Sequence, residues 1–152
     1  MPAQILKRDS ASGRLALLTT SSVDVLAEEL AQVDEPFGLL LACDATALTD
    51  TTIENIATKA DRAGLAYLCA WGPECKRVHD SFDRAIGAER LGSGSERVVM
   101  TTSHSEEPLE DAVRFLIYSA YPDESNPPCS LWIFACVDHG DWAARIIQAV
   151  DS

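Results

Sequence analysis

The stretch "AYLCAWGPECKRVHDSF", Ala66–Phe82, contains the structural unit that recurs along the whole chain. A nearly uninterrupted apolar run ends at Trp71, and a Gly-Pro turn follows it. Beyond the turn, the spacing of Cys75, Val78 and Phe82 places these residues on one face of a helix. A strand without polar alternation is typical of a parallel sheet that is covered on both faces. The stretch therefore predicts a strand, a short turn and a helix.

The same unit can be followed in both directions from this stretch. The predicted strands are Leu15–Thr20, Phe37–Cys43, Ala66–Trp71, Arg97–Thr102 and Ser130–Val137. The predicted helices are Val23–Val33, Thr51–Ala63, Pro73–Ala88, a helix from Pro108 to Ala120, and a last helix that carries Trp142 and Val150. Because strands and helices alternate, we predict a flavodoxin-like three-layer α/β sandwich with a mostly parallel five-stranded sheet and helices on both faces. The 152 residues are taken as a single α/β domain, residues 1–152.

The net charge of −12, from 12 basic and 24 acidic residues, indicates which partners the protein prefers. It disfavours nucleic acid, whose binding requires clustered lysine and arginine. It favours a protein partner, especially a basic one. No apolar run approaches the ~20 residues that span a bilayer, so no membrane association is expected. The first residues, "MPAQILKRDSASG", lack the apolar segment of a secretion signal, which predicts a cytoplasmic protein.

The five cysteines favour neither a disulfide framework nor a metal knuckle, because their number is odd and no pair has CxxC spacing. Cys43, Cys69 and Cys136 lie inside apolar runs, where cysteine acts as a small core residue. No cofactor is predicted.

Any local chemistry is expected at the rim, by which we mean the loops that follow the carboxyl ends of the predicted strands. Polar and aromatic residues collect in these loops and at the start of the helices behind them. The candidate binding residues are Asp44, Trp71, Gly72, Asp80, Asp83, Thr101, Thr102, His104 and Glu106.

A catalytic alternative uses Cys75 as a nucleophile, His104 as its base and Glu107 as the group that orients the histidine. Cys75 lies near the start of a predicted helix, which lowers the pKa of a thiol. The competing interpretation is structural, since Cys75 is also in register with the apolar stripe of that helix.

A metal site would combine His104 and His139 with carboxylates such as Asp44, Glu107 or Asp138. No close-spaced ligand pair supports such a site, and we predict none.

Two phosphate-linked functions are excluded by the positions of key residues. A nucleotide cradle needs a glycine-rich turn that opens a helix, but Gly92–Ser95 leads into a predicted strand. A phosphoryl receiver needs an acidic pair after the first strand and an aspartate after the third. This chain has Thr19–Thr20 and Trp71–Gly72 at those places.

Two segments, Gly64–Asp83 and Val98–Ala120, resemble a family of small bacterial proteins that is classed as a domain of unknown function. The shared pattern is AWGxxC, then DSxD, then VMTTxHxxEPLE. The matching positions are Ala70, Trp71, Gly72, Cys75, Asp80, Ser81, Asp83, Val99, Met100, Thr101, Thr102, His104, Glu107, Pro108, Leu109 and Glu110. The resemblance implies no activity, but it directs attention to the rim after the third and fourth strands.

The sequence thus favours a small acidic binding or accessory protein, of the immunity, inhibitor or regulatory kind. It would present the rim around Trp71, His104, Glu106 and Glu107 to a protein partner. The alternative is a small Cys-His hydrolase or transferase. The oligomeric state and the strand order stay open.

Overall fold

The structure, a computed structural model, describes residues 4–10, 13–138 and 140–151. Within these residues the strands are β1 (Gln4–Ser10), β2 (Gly13–Thr20), β3 (Phe37–Ala42), β4 (Leu65–Trp71), β5 (Met100–Ser103) and β6 (Leu131–Val137). The helices are α1 (Val23–Ala31), α2 (Asp50–Ala63), α3 (Cys75–Ser93), α4 (Leu109–Tyr118) and α5 (Gly140–Asp151).

The described strands form one sheet in the order β1-β2-β6-β3-β4-β5. The five strands from β2 to β6 run parallel, and helices cover both faces, which confirms the predicted flavodoxin-like three-layer α/β architecture. The strand β1 was not predicted, and it pairs antiparallel with β2 at the edge of the sheet. Its sequence, QILKRDS, has neither an apolar run nor alternation, so no pattern marks it as a strand.

Both faces of the sheet are apolar, because helices pack on both of them. Leu39 and Leu41 of β3 pack towards α1, α2 and α3, while Leu40 and Ala42 pack towards α4 and α5. Successive side chains of a strand point to opposite faces, so a strand between two helical layers needs apolar residues at every position.

The path of the chain determines where the loops diverge. The strands β2, β3, β4 and β5 are joined through α1, α2 and α3 on one face. The chain then returns across the other face through α4 and places β6 between β2 and β3. As a result, the loops after β4 and β5 leave towards opposite faces. In open parallel sheets ligands bind in crevices of this kind.

Several element boundaries differ from prediction for local reasons. The helix α2 begins at Asp50, one residue before the predicted Thr51, because the hydroxyl of its N-cap Thr49 accepts from the N–H of Thr52. The helix α3 runs past Ala88 to Ser93, because Gly94 with φ 70° supplies the left-handed residue that ends it. The strand β5 begins at Met100 and not at Arg97.

The late start of β5 follows from a buried ion cluster near the amino-terminal end of the sheet. Asp61 is 3% exposed, and it accepts hydrogen bonds of 2.8 and 2.7 Å from Arg90 and one of 2.7 Å from Arg97. Arg97 also donates to the carbonyl of Leu65 at 2.6 Å. The cluster therefore joins the end of α2, the end of α3 and the segment that enters β5.

None of the helices in the described part of the chain has the length and apolar character needed to cross a bilayer.

Candidate functional site

The crevice between the loops after β4 and β5 holds a cleft of about 410 Å³. We refer to it below as the cleft. Its walls are Trp71, Gly72, Pro73, Glu74, Cys75, Lys76, His104, Ser105, Glu106 and Glu107. One concave surface thus joins six of the predicted rim residues, namely Trp71, Gly72, Cys75, His104, Glu106 and Glu107.

The sharp turn after β4 depends on Gly72. Its φ is 116°, and a Cβ added there would lie 2.2 Å from the carbonyl oxygen of Cys43. Only glycine tolerates both the backbone angle and this close approach. The turn sends the chain from Trp71 directly into α3, so that Trp71 and Cys75 both reach the cleft.

His104 is held from three sides. Its backbone N–H donates to the carbonyl of Ala70 at 2.9 Å, which extends the pairing of β5 with β4. Its ring Nδ1 bonds the carboxylate of Glu107, and its Nε2 lies 2.7 Å from the hydroxyl of Thr102. The ring also packs at 4.7 Å against Phe115. The side chain is 8% exposed, so these contacts fix the imidazole at the base of the cleft.

Trp71 forms the wall of the cleft on the α5 side. Its Nε1–H donates to the backbone carbonyl of Glu107 at 2.8 Å, which ties the β4 loop to the β5 loop. Its ring packs edge to face against Trp142 at 5.0 Å, and the guanidinium of Arg145 lies 5.9 Å from the ring centre. Trp71 therefore acts both as a cleft wall and as a packing residue.

The guanidinium of Arg145 is itself held by two hydrogen bonds of 2.8 Å to Glu110. These bonds lower the pKa of Glu110 from 4.5 to about 2. The pair thereby fixes the relative position of α4 and α5 beside the cleft.

The Glu110 carboxylate is expected to stabilise the fold in a pH-dependent way. Because its pKa is lower in the folded protein, its contribution is complete above about pH 4.5 and is lost as the pH falls towards 2. Both partners are about one-third exposed, so solvent screening limits the effect to about 1 kcal/mol. Glu110→Gln should lower the free energy of unfolding by this amount at pH 6 and by nothing near pH 2. Urea unfolding across this range measures it, and Glu124→Gln, at an exposed position, is the control for the loss of one negative charge.

Cys75 lies in the cleft wall but is only 3% exposed. Burial raises the pKa of its thiol, and the backbone N–H groups around it offset this only in part. The lowering expected from the start of a helix is therefore outweighed by burial. Both ring nitrogens of His104 bond oxygen atoms, so the ring already has partners other than Cys75. The geometry gives the Cys-His hypothesis no activated thiol.

The thiols should accordingly alkylate slowly in the folded protein. Burial raises the pKa of Cys43, Cys69 and Cys136 to about 12 and that of Cys129 to about 11, and it also raises that of Cys75. Iodoacetamide at pH 7, followed by peptide mass spectrometry, should label Cys75 far more slowly in buffer than in urea. Equal rates in buffer and in urea would restore Cys75 as a candidate nucleophile.

Three acidic residues of the rim have a left-handed backbone. They are Glu74, Glu106 and Asp138, with φ of 65°, 65° and 61°, and they follow β4, β5 and β6 respectively. Within the described residues, no other non-glycine residue has positive φ. This conformation strains residues other than glycine, by roughly 1–2 kcal/mol for Glu74 and Glu106 and by less for Asp138, because aspartate adopts it more readily.

A comparison with protein-family models matches residues 17–152 to the domain of unknown function DUF7684. The chain belongs to the DUF7684 family. This finding confirms the prediction of an uncharacterised family. No curated protein matches the chain.

Some predicted site residues of this DUF7684 protein lie away from the cleft. Asp44 lines a separate depression with Asp138. Asp80 bonds His79 at 2.9 Å on the outer side of α3, and Asp83 accepts from the hydroxyl of Thr101 at 2.6 Å. Thr102 lies behind His104 and is not part of the cleft wall. The candidate residues therefore divide into a cleft group and an outer group.

Four cleft residues of the DUF7684 chain were absent from the predicted set: Pro73, Glu74, Lys76 and Ser105. Glu74 and Lys76 flank Cys75 and line the cleft. Lys76 was missed because its position on a helical face is that of an ordinary solvated lysine. Glu74 could have been predicted as a cleft residue, since it stands between Pro73 and the first residue of α3.

The described residues contain no group of three histidine, cysteine, aspartate or glutamate side chains arranged to hold a metal ion. His139, which was weighed as a ligand, lies outside the described residues.

Proposed function

We propose that this DUF7684 protein is an acidic accessory protein of the immunity, inhibitor or regulatory kind, and that the cleft and its rim bind a basic protein partner. The net charge of −12 supports an electrostatically guided encounter with such a partner. Among the described residues that line the cleft, the carboxylates of Glu74, Glu106 and Glu107 outnumber the one ammonium group, that of Lys76.

The observation that carries the proposal is the left-handed backbone of Glu74, Glu106 and Asp138. A glycine at each of these places would relieve the backbone, yet the chain places a carboxylate there. Strained residues that persist at one edge of a fold point to a role other than stability. Among the described residues, Glu106 makes no hydrogen bond or ion pair, so its carboxylate is available to a partner.

We further propose that the protein acts in the cytoplasm. All five cysteines are free thiols, which is the state that a reducing compartment maintains.

The test compares two triple variants of equal net charge. The rim variant is Glu74→Gln, Glu106→Gln and Asp138→Asn. The control, at exposed positions near the amino-terminal edge of the sheet, is Asp34→Asn, Glu96→Gln and Glu124→Gln. Each variant should be used to capture partners from an extract of the native host at low salt. The proposal predicts one basic protein that the wild type and the control retain and the rim variant loses.

A second comparison separates charge from backbone strain. Glu106→Gln keeps the strained backbone and removes the charge, whereas Glu106→Gly removes both. Both should lose the partner, and only Glu106→Gly should gain stability, by roughly 1 kcal/mol. Equal capture by the rim variant and the control would refute the proposal.

A further inference from the structure

We propose that Thr102, His104 and Glu107 form a nucleophile, base and carboxylate triad that hydrolyses small acyl esters. This activity goes beyond the binding role and does not depend on it. The carboxylate of Glu107 bonds Nδ1 of His104, and the hydroxyl of Thr102 lies 2.7 Å from Nε2. A hydroxyl on one ring nitrogen and a carboxylate on the other is the arrangement that activates serine and threonine nucleophiles.

The donor and the acceptor of each hydrogen bond in this triad follow from the groups around it. Glu107 accepts the proton of Nδ1, which leaves Nε2 of the neutral ring as an acceptor. The other acceptor near the Thr102 hydroxyl, the carbonyl of Leu68, is distant at 3.5 Å. The Thr102 proton is therefore directed to Nε2.

An ester can approach Thr102 from the outer part of the sheet. The strand β5 is at the edge of the described sheet, and α4 packs over β3, β4 and β6. Thr102 lies on the same side of β5 as α4, since its hydroxyl meets His104, whose ring contacts Phe115. Met100 on this side is 40% exposed and Tyr118 of α4 is 63% exposed. The proposal places the short acyl chain along these two exposed side chains.

The edge position also supplies a donor for the developing oxyanion. Successive backbone N–H groups of a strand point to opposite sides, and that of His104 donates inward to Ala70. The N–H of Ser103, the residue after the nucleophile, therefore points to the unpaired edge. A backbone N–H at this position can stabilise a tetrahedral intermediate.

The hydrolysis consumes only the ester and one water molecule. The Oγ1 of Thr102 attacks the ester carbonyl carbon while its proton moves to Nε2 of His104. Collapse of the intermediate breaks the ester C–O bond, and the alcohol leaves with the proton from Nε2. Water then gives one proton to Nε2 and attacks the acyl-threonine. The carboxylic acid is released, and the proton on Nε2 returns to Thr102.

The experiment uses p-nitrophenyl acetate and p-nitrophenyl butyrate with the full chain. We expect p-nitrophenol release, and an acyl group that peptide mass spectrometry maps to Thr102. Thr102→Val, which replaces the hydroxyl with a methyl group of similar size, should lower kcat/KM by roughly 10²- to 10⁴-fold. Thr102→Ser should retain the activity. Glu107→Gln should lower kcat and leave KM unchanged, because Glu107 positions His104 and does not touch the ester.

Two matched controls keep the result interpretable. Thr101→Val makes the same substitution on the same strand, but its hydroxyl faces Asp83 of α3, so activity should persist. Cys129→Ala, which removes a half-buried thiol that does not line the cleft, should also be active. The proposal is overturned if Thr102→Val, with wild-type circular dichroism, hydrolyses either ester as fast as the wild type. It is equally overturned if neither ester is hydrolysed, or if the acyl group maps to Cys75, Ser103 or a lysine.

Discussion

Asp61→Ala is expected to lower the free energy of unfolding by roughly 3–5 kcal/mol. The Asp61 carboxylate is 3% exposed and bonds the guanidinium groups of Arg90 and Arg97, whose side chains are 18% and 22% exposed. Its removal leaves two cations close together in a largely dry environment without a counter-charge. Since these side chains join the ends of α2 and α3 to the segment before β5, the loss should also loosen β5.

Urea denaturation followed by circular dichroism measures the loss at Asp61. Glu54→Ala is the matched control, because Glu54 lies on the same helix and pairs with Arg84 at 3.1 Å. Both partners of that pair are more than one-third exposed, so its loss should cost less than about 1 kcal/mol. Equal effects at the two positions would show that the buried cluster has no special role in stability.

Gly72→Ala should have the second large effect and lower the free energy of unfolding by roughly 2–6 kcal/mol. An alanine at φ 116° is strained by roughly 1–3 kcal/mol. Its Cβ would also overlap the backbone carbonyl of Cys43, 2.2 Å away, which a backbone atom cannot avoid by rotating. The displacement required adds roughly 1–3 kcal/mol. The shift should move Trp71 and alter its contact with Trp142, which near-ultraviolet circular dichroism detects.

Gly87→Ala is the control for this substitution, and it should act in the opposite direction. Gly87 lies within α3, and a Cβ there would meet nothing within 4 Å. Alanine is the better helix former, so stability should rise by roughly 0.5–1 kcal/mol. If Gly72→Ala were tolerated as well as Gly87→Ala, the turn after β4 would not depend on glycine.

The sequence was sufficient to predict the layers of the fold because its signals are local. Uninterrupted apolar runs such as that of β3 mark strands covered on both faces, and helical periodicity marks the segments between them. The strand β1 escaped prediction because its pairing with β2, and not its composition, makes it a strand. The order of the strands likewise depends on long-range pairing, which periodicity does not encode.

The sequence predicted where the candidate site lies but not the chemistry of its side chains. The divergence of parallel loops put Trp71, Cys75 and His104 at one rim, and the cleft joins them. The burial of Cys75 changes the chemistry of its thiol in a way that its position at a helix start did not suggest. The bond between Thr102 and His104 needs the actual rotamers of both side chains, and a sequence carries no such information.

The position of β6 has a consequence for how the chain acquires its structure. This strand is the last of the sheet to be synthesised, yet it provides the hydrogen-bonding partners of both β2 and β3. Before β6 is synthesised, no strand links β2 to β3. The pair β1–β2 and the group β3–β4–β5 are then separate parts of the sheet. Folding must therefore wait for contacts between distant parts of the chain, which are slow to form. On a ribosome, a nascent chain that ends before Leu131 would leave the backbone N–H and C=O groups along one edge of β2 and one edge of β3 unpaired until β6 closes the sheet.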